Sequence, residues 1–349
     1  MIDPGRSVAD LRDRLHDLGG RDAHVGRLLR AWLGGRGLDT AAERRGRGRA
    51  PRWPRSLGAV LPEVQRSLDA MLSEVARADA GDGSRRRVLR LRSGRTIESV
   101  DLPRDGLCVS TQVGCAVGCR FCKTGEDGLL RQLSALEILA QVVRARRERP
   151  VRRVVFMGMG EPAHNLDAVL DAIDSLGTDG GVGHKNLAFS TVGDPAVFER
   201  LAAGRVRPAL SLSLHALDRE ARERMLPRAP AADPSGLLDA ALDYADRVAH
   251  PLQVQWTLLA GFNDDDAQAD RLAAALRDRR AIVNYIPFND VEGSGFRRPS
   301  VDRCVDLVRR LRRAGIVATL RFSAAVEVDG GCGQLRSRVA TRGLGRLPY

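Results

Sequence analysis

Lysine is almost missing from this sequence: of 56 basic residues only Lys123 and Lys185 are not arginine. A GC-rich genome explains arginine in place of lysine but not the net charge of +12, which suits a polyanionic partner. Long apolar runs are missing too. None reaches the ~18 residues that cross a bilayer, so no membrane segment is expected. Met1–Asp10 is charged and lacks an apolar stretch, so no signal peptide is expected and the cytoplasm is the expected location. Repeats and low-complexity tails are absent. Six cysteines in 349 residues are too few for a disulfide scaffold. What is present, 43% hydrophobic and 29% charged residues, is enough for one large core and a small extra domain.

Three- and four-residue apolar spacing predicts helices over Asp10–Leu18, His24–Trp32 and Leu57–Val75. Between them Ala41–Arg55 (AAERRGRGRAPRWPR) reads as a basic loop with six arginines. Gly81–Arg87 reads as a turn or linker. The expected division is therefore a basic, helical accessory domain over 1–85, suited to RNA, and a catalytic domain over 86–349.

The second part alternates. Strand-like runs at Leu107–Val113, Arg153–Met157, Asn186–Thr191, Ala209–Leu214, Leu252–Leu259, Ala281–Pro287 and Val317–Phe322 are separated by helical patterns. Those patterns are Ala135–Arg147, Leu166–Leu176, Ala196–Ala203, Leu237–Val248, Asp266–Arg277 and Val301–Ala314. Such alternation predicts βαβ units, a parallel sheet and a full or partial barrel. Functional residues should then follow the strands' C-terminal ends.

They do. Cys115, Cys119 and Cys122 follow the first barrel strand. Three thiolates can bind three irons of a [4Fe–4S] cluster and leave the fourth open to a chelating ligand. The Cys-x3-Cys-x2-Cys spacing resembles that of radical S-adenosylmethionine (SAM) enzymes. The competing reading is structural zinc, which usually draws on a second Cys or His pair. Phe121 is either an aromatic beside the cofactor's adenine or a loop residue filling the barrel mouth. Further strand ends offer Gly160 and Glu161, Ser190, then Ser213, Leu214 and His215, and Asn289. These fit the methionine ammonium, ribose and adenine of SAM. Taken singly, each also fits turn chemistry. Cys304 sits in a helical pattern and reads as a small core residue. Cys332 lies among Gly330, Gly331 and Gly333, on backbone free to move.

From Glu98 to Leu335 the chain resembles the RlmN/Cfr family of radical SAM RNA adenine methyltransferases. The resemblance rests on Cys108-Val-Ser-Thr-Gln-Val-Gly-Cys115, the cysteine triad, Gly158-Met-Gly-Glu-Pro162 and Ser190-Thr191. It continues in Ser213-Leu-His215, Ile286-Pro-Phe-Asn289 and Cys332-Gly-Gln-Leu335. It implies a partial (βα)6 radical-SAM barrel with a small N-terminal helical domain. Its cofactors would be a [4Fe–4S] cluster and SAM, its partners rRNA or tRNA and an electron donor such as flavodoxin or ferredoxin, and its state a monomer. It further implies that Cys332 is methylated and becomes linked to an adenine carbon. Glu98 then removes a proton, and Cys108 releases the methylated base as a disulfide forms. On its own, Glu98 reads equally as a solvated strand residue. Carbon 2 of adenine is the first expectation. Carbon 8, with antibiotic resistance, and a small-molecule substrate are the alternatives. The chain departs from the family at Val326–Gly331, at Lys123 and over Arg228–Ala232, all expected on the substrate side.

Overall fold

The computed structural model describes residues 3–38 and 53–336. Most of the basic loop and everything past Arg336 fall outside them. Three helices come first: α1 (Val8–Asp17), α2 (Asp22–Leu33) and α3 (Arg55–Asp69). Ser7 and Asp10 form a capping box that satisfies the free amides of α1's first turn. Leu11, Leu15, Trp32 and Leu61 are buried in a core continuous with that of the barrel. Polar ties reinforce the docking: Val8 N–H donates to the Asp171 carboxylate at 2.8 Å, and Arg146 to the Leu33 carbonyl at 2.7 Å.

Helical periodicity predicted as far as Val75 stops at Asp69. Leu72–Asp79 is instead strand β1, antiparallel to β2 (Arg85–Leu91), so the sheet starts before residue 85. Strand β2 pairs with β3 (Thr96–Leu102), and β3 with β4 (Gly106–Cys108). The arginines of β2 mask its strand character. Arg87 is nonetheless buried, donating to Glu74, Asp101 and Glu148 at 2.7, 2.8 and 2.9 Å. A buried guanidinium is tolerated when carboxylates share its charge.

The run predicted as one strand over Leu107–Val113 divides. After β4 the chain leaves the large sheet and forms a separate hairpin, β5 (Gln112–Gly114) with β6 (Leu129–Gln132). Beyond β4 the large sheet is parallel, through β7 (Arg153–Phe156), β8 (Leu187–Thr191), β9 (Ala209–Ser213), β10 (Leu252–Leu258), β11 (Ala281–Pro287) and β12 (Val317–Leu320). The covering helices are α4 (Ala135–Arg146), α5 (Leu166–Thr178), α6 (Pro195–Ala203), the short α7 (Arg219–Met225), α8 (Pro234–Val248), α9 (Asp266–Ala275) and α10 (Val301–Arg313). Several start on a side-chain cap, Asp194 and Asp233 each followed by proline at the first helical position. Six βα units from β4 to α10, finished by β12, make the partial barrel that the alternation implies. Strand order follows chain order throughout the large sheet.

Candidate active site

The hairpin β5–β6 closes the base of the cysteine loop, where Cys115 N–H donates to the Gly128 carbonyl at 2.9 Å. The loop stands over the C-terminal ends of the parallel strands. There a cavity of about 1020 Å³ is lined by Cys115, Cys119, Cys122 and Phe121 from the loop and by Cys332 from the far end of the chain. Gly160, Glu161, Ser190, Ser213, His215, Gln255 and Asn289 line the rest of it. Thus nearly all the strand-end residues singled out in the sequence meet in one place. Leu214 and Glu98 do not line it. Leu214 is buried, its amide donating to the Gln255 carbonyl at 3.1 Å.

Burial raises the pKa of all three loop thiols, that of Cys115 to about 12, and each is raised further by at least one neighbouring cysteine. A four-iron cluster would bind its thiolates on separate irons.

Glu161 is buried, and its two oxygens accept from the Ala163 and Val192 amides, each at 3.0 Å. Burial raises its pKa. His215 has a left-handed backbone (φ 60°) and packs edge-on against Phe121, ring centres 5.0 Å apart. Its Nδ1 accepts from Thr257 N–H at 3.0 Å, which leaves the proton on Nε2. Burial, aided by Arg222, pushes its pKa down to about 3, so the ring is neutral. Asn289 donates to Ser323 Oγ at 2.8 Å and to the Cys332 carbonyl at 3.0 Å.

The sequence reading missed three residues. Gln255, in the middle of β10 and paired with Ser213 at the end of β9, has a buried side-chain oxygen with no partner. Such an atom costs about 1–3 kcal/mol unless a ligand donor meets it. Gln112 accepts from the Glu161 amide at 2.8 Å and so fixes that strand end. Arg222, buried in α7, donates to the Val192 and Leu214 carbonyls and ties two strand ends together. Gln255 stood in the middle of a predicted strand, where a rule about strand ends does not reach. The other two carry no pattern.

A second cavity, of about 1750 Å³, adjoins the first and shares Cys122, Met157, Arg321, Cys332 and Gly333 with it. Cys108 lines this second space. Burial and the neighbouring Cys332 push the Cys108 pKa up to about 12. Cys108 and Cys332 are both free thiols, Cys108 buried and Cys332 exposed.

Cys332 rides on a segment held at several points. Lys123 N–H donates to the Gly333 carbonyl at 2.7 Å, and Thr124 Oγ1–H to the Leu335 carbonyl at 2.6 Å. On the other side Gly81 N–H donates to Glu327, and Ala325 N–H to Asp82 at 3.3 Å. Glu98 lies behind this segment, fully buried, accepting from Arg86 at 3.5 Å and from the Arg336 amide at 3.3 Å. It is therefore not a solvated strand residue.

Arginines over Arg44–Arg55 and Arg85–Arg95 are expected to carry RNA affinity; of the second group, Asp79 holds Arg85, Glu98 holds Arg86 and Asp101 holds Arg87. Arg44–Arg52 lie outside the described residues. Arg228, expected on the substrate side, leans on Gly118 and donates to the Gly125 carbonyl at 3.4 Å, bracing the cysteine loop.

Gly160 adopts φ +105°, and a Cβ there would stand 2.6 Å from Gln112 Cβ. Gly160→Ala should lower stability by about 2–4 kcal/mol, from overpacking and backbone strain together. Denaturant midpoints measure this, and an unchanged midpoint would refute the need for glycine.

A partial barrel with three cysteines in the loop above its first strand is the frame of enzymes that pair an iron–sulfur cluster with SAM. Residues 109–273 match the model of the radical SAM superfamily, and the chain belongs to that superfamily. It is 54% identical to a probable RNA methyltransferase of Pseudomonas aeruginosa, covering 97% of this chain and 98% of that one. A probable RNA methyltransferase of Thiobacillus denitrificans is 55% identical, covering 95% and 90%. The crystal structure of a radical SAM methyltransferase from Sphaerobacter thermophilus has a TM-score of 0.81 and 34% identity, covering 95% and 97%. The chain is a SAM-dependent methyltransferase. No helix among the described residues is long and apolar enough to cross a membrane.

Proposed function

We propose that this methyltransferase acts on RNA, placing a methyl group on an sp² carbon of adenine, carbon 2, through a methylated Cys332, as a divergent member of the RlmN/Cfr group. The observation that carries the reading is the position of Cys332, which lines both the cavity of the three loop cysteines and the cavity of Cys108. The names of the relatives support RNA as substrate.

The residues present fit the implied cofactors. Three thiols share one cavity, and the buried Gln255 oxygen lacks a partner. Cys115, Cys119 and Cys122 would hold the cluster. Gly160, Glu161, Ser190, Ser213, His215, Gln255 and Asn289 would hold SAM. Together these cofactors supply a carbon-centred radical and a methyl group, with the electron coming from a donor such as flavodoxin or ferredoxin.

The chain's own residues do the rest. Cys332 carries the methyl carbon, which would give one hydrogen atom to the carbon-centred radical and one electron back to the cluster as it becomes joined to the base as a thioether. Glu98 accepts the proton displaced from the base, which requires the segment ending at Arg336 to shift. Cys108 attacks the Cys332 sulfur. The sulfur–carbon bond breaks, its electron pair stays on carbon, and that carbon takes up a proton to become methyl. A Cys108–Cys332 disulfide remains, and an external thiol reduces it.

Mass spectrometry of nucleosides from RNA treated with the reconstituted enzyme should show 2-methyladenosine. Methylation at carbon 8 would correct the position. No methylated adenosine from any RNA class would overturn the assignment and favour a small-molecule substrate.

A further inference from the structure

Three arginines stand at the rim of the second cavity. Arg104, Arg153 and Arg321 line it, and none forms an ion pair among the described residues. Asp105, next to Arg104 in the chain, is taken by Arg149 and Arg152. The one carboxylate lining the cavity, Asp82, is occupied by Ser84 and the Ala325 amide. All three line the one cavity, where burial first, then Arg321 and Arg104, lower the pKa of Arg153. Arg104 sits at the tip of the β3–β4 turn with a left-handed backbone, φ 56°. Beside them Phe322, which lines the same cavity, leaves 57% of its surface exposed at the end of β12.

A cavity with a crowd of unpaired arginines and an uncovered aromatic face matches two chemistries at once. Guanidinium groups bind phosphates, and aromatic rings stack on unpaired bases. Cys332 and Cys108 line the same cavity as Phe322.

We infer that the second cavity is the seat of the target nucleotide, its base stacked on Phe322 and its flanking phosphates held by Arg104, Arg153 and Arg321. This rests on the reading of RNA as substrate. It adds that the nucleotide enters single-stranded or flipped out of its helix, since a paired base offers no free face.

The test uses the full-length reconstituted enzyme and a labelled oligouridine of about ten nucleotides with one central adenosine, within the usual span of single-strand sites. The control oligonucleotide is abasic at that position. Fluorescence anisotropy gives affinity across a salt series. Wild type should prefer the adenosine oligonucleotide about 5- to 150-fold, the worth of one stacked base. Phe322→Leu should abolish that preference, and Phe322→Tyr should retain it. Arg104→Gln and Arg153→Gln should each flatten the salt dependence by about 0.7 log units per decade, the loss of one single-strand phosphate contact. Preference kept by Phe322→Leu, or a salt slope untouched by both arginine variants, would overturn the site, even if the enzyme methylates RNA. An enzyme that shows the binding pattern but methylates no RNA would leave this site standing and refute the reaction.

Discussion

Cys108→Ala enzyme should accumulate covalently joined to RNA through Cys332, with methylated product falling to background. Cys332→Ala should also make no product, but without any bound RNA. The two cysteines border one cavity, yet their settings differ. Cys332 is exposed on a glycine-rich segment, able to reach the loop cysteines on one side and a substrate on the other. Cys108 is buried at the end of β4, its pKa raised by burial. It is a poor nucleophile at rest, and a thiol of that kind suits a step taken only once the substrate rearranges its surroundings. A denaturing gel with labelled RNA reads the outcome. The RNA-linked band belongs to Cys108→Ala alone and should vanish in the double variant. Normal product from Cys332→Ala would end the scheme. A bound species in Cys332→Ala would move the carrier role elsewhere.

Replacing Cys115, Cys119 or Cys122 with Ala should reduce bound iron from about four atoms per chain to near none and remove the brown absorbance. Two remaining thiolates leave a second iron without a protein ligand, and the cluster loses its anchorage. Cys304→Ala is the internal comparison. That thiol is fully buried in α10 against Leu307 and Leu311, away from both cavities, and its loss should leave iron content unchanged. Stoichiometric zinc in the wild type, with no iron after anaerobic reconstitution, would overturn the cluster assignment.

The sequence made the barrel legible because its parallel strands are short apolar runs between capped amphipathic helices, a pattern with little ambiguity. The triad and the strand-end residues were legible by position, since such a barrel collects chemistry at one mouth. The first three strands were not. In β2 the run Arg85-Arg-Arg-Val-Leu-Arg-Leu91 looks solvent-facing until Glu74, Asp101 and Glu148 are seen converging on Arg87. Leu72–Val75 continued a helical period and was carried into a strand by pairing with β2, where tertiary contacts outweigh local preference. Arg222 and Gln112 could not be read in advance. Each serves the site through a carbonyl or an amide distant in sequence, and one chain gives no sign of such a partner.

The strict agreement between strand order and chain order bears on how the molecule comes into being. Each strand of the large sheet docks beside the one made just before it, so most long-range pairing proceeds by stepwise addition with short loops to close. The sheet can grow from its N-terminal edge while synthesis continues. The segment bearing Cys332 is the exception: its tie from Glu327 to Gly81 spans 246 residues. That tie can form only after nearly the whole chain has emerged from the ribosome. The Cys332 thiol therefore enters its place after the barrel is already built, and maturation of the cysteine loop can precede its arrival.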